Sequence, residues 1–121
     1  MNVAEYQAKT YPDPPCWALV ADVLFSERGE AVDAFQTISG SVRQIASALR
    51  LELYKSSHGF EQIEQPRDFA VVLMGKTARL GLHHCGVYYQ GKVLHALPQG
   101  VLYQDLESLR AEYPLMEFWA R

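Results

Sequence analysis

The sequence predicts an α+β fold, and it does so through the order in which two hydrophobic periods occur. In the first half apolar residues recur at helical spacing, as Cys16, Leu19, Val20, Val23 and Leu24 and again as Val42, Ile45, Ala46 and Leu49. From Asp68 the period becomes strand-like, with the continuous run Phe69-Ala-Val-Val-Leu-Met and then two β-rich segments that flank Gln90-Gly91. Helices first and neighbouring strands afterwards give an antiparallel sheet with helices packed on it, whereas a parallel sheet needs the two in alternation.

With 121 residues, 49% of them hydrophobic, the expectation is one domain over 1–121. A chain of that length buries about two thirds of the surface it exposes when unfolded. Eleven basic against fourteen acidic residues give a net charge of −3 with no basic run. That excludes the electrostatic footprint of a nucleic-acid or anionic-membrane binder. The apolar runs fall far short of the roughly 20 residues that span a bilayer, and Met1 to Thr10 lacks the basic start and hydrophobic centre of an export signal. Cys16 and Cys85 are therefore expected as free thiols.

Taken in order, Met1 to Thr10 is a short polar arm with one large ring, Tyr6. Tyr11-Pro-Asp-Pro-Pro opens a helix, with proline tolerated in the first turn and Asp13 as N-cap, which puts Cys16 in that turn. Gly29 stops it. Ser41 caps a second helix within 33–53 that serves packing alone. Tyr54 to Arg67 is a polar, turn-rich loop, and His58 within it is solvated. Phe69 to Met74 is a central strand buried on both faces. Leu80 to Tyr89 and Lys92 to Leu97 form a hairpin, Pro98 to Tyr103 a turn and a short extended piece, Gln104 to Ala111 a helix, and Leu115 to Ala120 a closing strand.

The chemistry-bearing residues are Cys16 and the two hairpin histidines. A cysteine in the first turn of a helix has its thiolate stabilised by unpaired backbone donors and the positive end of the helix dipole. Alternation puts His84, Gly86 and Tyr88 on one face of the first hairpin strand and Val93, His95 and Leu97 on one face of the second, so the imidazoles meet across the ladder. Nucleophile, base and orienting residue then follow in the chain order Cys16, His84, His95. Other readings fit the same residues. Each histidine is satisfied by a backbone carbonyl, Cys16 is a small buried hydrophobe, or His83, His84, Cys85 and His95 hold a metal, although their alternation and spacing match no common zinc pattern. Cys85, which alternation turns to the opposite face from His84, is left out of the site.

Cys16-Trp-Ala-Leu-Val, Asp68-Phe-Ala-Val-Val-Leu, the stretch from His84-Cys-Gly-Val-Tyr-Tyr to Leu-His95-Ala, and Glu117-Phe-Trp-Ala-Arg together resemble the NlpC family of cysteine peptidases. Within it they are similar to the phage-tail branch, whose Cys-Trp-x-Leu-Val opening replaces the usual Asp-Cys-Ser-Gly. The likeness runs from about Tyr11 to Arg121. It implies a papain-like fold, no cofactor, and hydrolysis of amide bonds in the peptide stem of bacterial peptidoglycan. Cys16 would be the nucleophile, with its own backbone N–H as an oxyanion donor, His84 the general base and acid, and His95 the third residue. Tyr11 or Tyr6 would stand for the tyrosine that family members place near the oxyanion. Pro15 and Trp17 replace an aspartate and a serine that hold the free amine of the substrate in the housekeeping enzymes, and Trp17 is a candidate wall of the core or cleft.

Two classes of function follow. One is a phage or prophage tail-associated hydrolase, made in the bacterial cytoplasm and acting at the host wall. The other is a tail-assembly scaffold of the same fold with weak or lost activity, and an acyltransferase using the same pair of residues ranks behind both.

Overall fold

A computed structural model describes residues 1–13, 15–32 and 59–121 of the chain. The fold is α+β with an open six-stranded sheet. Its described elements are α1 (Val3–Gln7), α2 (Pro15–Arg28), β1 (Glu61–Ile63), β2 (Val71–Gly75), β3 (His84–Tyr89), β4 (Lys92–Leu97), β5 (Gly100–Asp105), α3 (Leu106–Glu112) and β6 (Leu115–Ala120). The strands lie in the order β1-β6-β2-β3-β4-β5, and every neighbouring pair is antiparallel. The predicted second helix, its Ser41 cap and His58 lie outside the described residues.

Each face of the sheet is covered by a different helix. Leu19, Val20, Val23 and Leu24 of α2 pack with Val71, Leu73, Cys85, Val87, Leu94 and Ala96. On the other side Leu109 of α3 and Tyr113 pack with Val72, Met74, Val93 and Phe118. The two sets alternate along β2 and β4, as the pleat requires. β2 lies third from the β1 edge and all five of its residues are buried, which explains its unbroken apolar sequence.

α2 begins at Pro15, two residues past Asp13, and stops at Gly29. There a φ of +66° suits glycine, and the Gly29 N–H still bonds the Phe25 carbonyl at 2.9 Å. Three local expectations change. The N-terminal arm contains a helix, α1, capped by Asn2, whose side chain accepts from the Ala4 N–H at 3.2 Å. Tyr6 anchors that helix, 3% exposed, with its hydroxyl donating to Glu27 at 2.9 Å. The supposed loop carries a short edge strand, β1, whose polar Glu-Gln-Ile sequence survives because it has a single neighbour. The extended piece after Pro98 is a full strand, β5, and the helix after it starts at Leu106 on an Asp105 cap. Gln104 is thus a strand residue. The predicted final strand, β6 over Leu115–Ala120, inserts between β1 and β2.

Candidate active site

Cys16 is the second residue of α2, and the apolar stripe that lays this helix on β3 and β4 carries the thiol to the start of β3. The thiol is buried, 5% exposed. Its neighbours are the Cys85 thiol, the His84 ring and the Cys85 backbone N–H. The Cys85 hydrogen bond is the largest influence and, with His84 and the backbone donor, outweighs burial to hold Cys16 well below the ordinary thiol range. Burial and the adjacent Cys16 charge push Cys85 well above that range. Cys16 is the one of the pair that ionises, since it also has the imidazole beside it, and Cys85 remains its S–H donor.

His84 and His95 lie on the same face of β3 and β4. His84 Nε2 is 2.8 Å from His95 Nδ1, and the rings meet edge to face with centroids 5.0 Å apart. Beyond them, His95 Nε2 is 2.7 Å from Gln104 Oε1 on β5. Burial, and then the nearby His84 charge, lower the His95 pKa from 6.5 to about 4, so it stays neutral at physiological pH. The Tyr113 ring, 4% exposed, stacks on His84 at 5.4 Å with an interplanar angle of 24°. Gly86 makes the close approach feasible. One step beyond the paired residues Val87 and Leu94 it comes level with His95, and a Cβ there would lie 2.6 Å from the Leu94 carbonyl oxygen and 3.0 Å from His95 Cβ.

The structure brings together Cys16, His84 and His95. Tyr11 is turned elsewhere: its hydroxyl donates to Asp22 at 2.6 Å, and Lys9 and Ser26 bind the same carboxylate at 2.9 and 3.0 Å. Burial, and then the bond to Asp22, raise the Tyr11 pKa, which makes its hydroxyl a firm donor to the helix flank. Trp17, 2% exposed, belongs to the core against the sheet. His83 directs Nδ1 at the Gly81 carbonyl, 3.3 Å away. A small groove runs beside the start of α2 between Tyr11, Pro15 and the β4–β5 turn at Pro98.

Sequence reasoning missed Gln104, Tyr113 and the place of Cys85. The signal for Gln104 was its level with Val93, which fixes it on the His95 face, but only the true extent of β5 exposes that signal. Cys85 does point away from His84, as alternation requires. Both reach the thiol because they are the first two residues of β3 and Cys16 lies at that end of the strand.

No protein-family model matches this chain, and a search of curated proteins finds no match.

Proposed function

We propose that the protein is a cysteine peptidase of papain-like type that hydrolyses stem-peptide amide bonds of bacterial peptidoglycan, in the tail of a phage or prophage. The observation that carries the chemistry is one continuous contact: a thiol of lowered pKa, an imidazole beside it, and a second imidazole 2.8 Å behind the first. The wall substrate and the tail setting are supported by the motif resemblance around Cys16, His84 and His95.

In this reading the Cys16 proton moves to His84 Nδ1, and the thiolate attacks the amide carbonyl carbon. The developing oxyanion is held by the backbone N–H of Cys16 at the start of α2. When the C–N bond breaks, His84 gives its proton to the departing amine and a thioester remains. Water then loses a proton to His84 and attacks the thioester carbon, releasing the acid and regenerating the thiol. His95 holds the ring of His84 throughout and stays uncharged, which avoids a second positive charge beside the imidazolium.

Incubation with defined muropeptides and mass spectrometry of the products tests this. Wild type should cleave a stem amide, and Cys16→Ala and His84→Ala should leave the substrate intact. One observation favours the scaffold reading: Cys16 and His84 are only 5% and 6% exposed. A folded protein that turns over no muropeptide, and whose Cys16 alkylates with an ordinary thiol pKa, is a scaffold.

A further inference from the structure

Two hydrogen bonds in series, His84 Nε2 to His95 Nδ1 at 2.8 Å and His95 Nε2 to Gln104 Oε1 at 2.7 Å, allow only certain arrangements of protons. A carbonyl oxygen has no proton to give, so His95 must donate to Gln104 through Nε2–H. A neutral imidazole carries one N–H, and His95 Nδ1 is then a bare acceptor. His84 must supply the proton in the next bond through its own Nε2–H. Its remaining nitrogen, Nδ1, is left to take the Cys16 proton. Were the Gln104 side chain to present its NH₂ instead, every bond would reverse. His95 would donate through Nδ1, His84 Nε2 would accept, and the single proton of neutral His84 would sit on Nδ1, facing the thiol as a donor with no room to accept.

We propose that Gln104 is a positioning residue whose carbonyl oxygen fixes the His95 proton on Nε2 and so sets the direction in which the Cys16, His84 and His95 relay moves protons. This rests on the reading of Cys16 as the nucleophile and His84 as its base. The surroundings support it. His95 is 1% exposed, so no bulk water competes for its nitrogens. The groups that act on it are His84 from β3, Gln104 from β5 and, at longer range, the Glu112 carboxylate at the end of α3. Gln104 is therefore the sole polar side chain bonded to His95 on the side away from His84 among the described residues. Its backbone is held in the β4–β5 ladder opposite Val93, which keeps the amide on the His95 face.

The decisive experiment is ¹⁵N–¹H correlation spectroscopy of histidine-labelled protein, read together with the pH profile of Cys16 alkylation. In wild type, His95 should show a protonated Nε2 and a bare Nδ1. Gln104→Leu should give a mixture of tautomers and slow Cys16 alkylation at neutral pH by about two- to ten-fold, the scale of one lost hydrogen bond. Gln104→Glu, which keeps an acceptor oxygen, should retain the wild-type tautomer and restore alkylation. A wild-type His95 protonated on Nδ1, or a folded Gln104→Leu variant with the wild-type tautomer, overturns the proposal. If Gln104→Leu fails to fold, the wild-type and Gln104→Glu tautomers decide. None of these readouts needs turnover, so a protein that cleaves no muropeptide yet shows the Nε2–H tautomer defeats the hydrolase reading and leaves the role of Gln104 standing.

Discussion

Gly86→Ala tests whether the histidine pair depends on the empty slot opposite His95. The new Cβ would lie 2.6 Å from the Leu94 carbonyl oxygen, 2.8 Å from Val93 Cγ1 and 3.0 Å from His95 Cβ. Ordinary carbon–oxygen contacts begin near 3.3 Å, so β3 and β4 must part by about 0.7 Å at this point. Overpacking of this kind costs about 1–3 kcal/mol. The same displacement stretches the His84–His95 bond from 2.8 Å to the limit of hydrogen bonding and adds about 1 kcal/mol. A total near 3 kcal/mol should lower the urea midpoint by about 1.5 M. The Cys16 alkylation midpoint should rise at the same time, because His84 loses its anchor. Gly91→Ala is the comparison: its Cβ meets nothing within 4 Å, and its φ of +84° adds only local strain of about 1 kcal/mol. It should leave the thiol unchanged. An unaltered urea midpoint and an unaltered Cys16 profile in Gly86→Ala would refute the reasoning.

Further outcomes follow from the same geometry. Iodoacetamide at pH 7 should label Cys16 alone, seen by peptide mass mapping, since Cys16 is held low and Cys85 is pushed high. Cys85→Ala should raise the Cys16 alkylation midpoint by removing its leading hydrogen bond, and a lowered or constant midpoint would contradict that assignment. His95 makes the fold sensitive to acid. With its pKa at 6.5 unfolded and about 4 folded, the unfolded chain binds the extra proton in that window, so stability is complete above pH 6.5 and declines as the pH falls to 4. The loss is about 3 kcal/mol, read from urea melts across that range, and His95→Asn should flatten this part of the profile. Leu19→Ala, at a site with 0% exposure, should cost about 3 kcal/mol by the same melts because it opens a cavity under α2.

The sequence by itself determined the α+β class, the helix that begins beside Cys16, the buried central strand and the shared face of His84 and His95. All of these follow from periods of 3.6 and 2 read over a few neighbouring residues. It did not reveal β1, because a polar edge strand has no alternation to display, nor the insertion of β6 between β1 and β2, because local period says nothing about partners. The composition of the site was decided by tertiary structure. Where α2 lies across the sheet sets which residues reach the thiol, and at the first residues of β3 that includes both faces, so Cys85 joins His84 there. Gln104 joins through the extent of β5, two strands removed from His84. Alternation fixes the face a side chain takes; only the packing of helix on strand fixes what it meets at the end of that face.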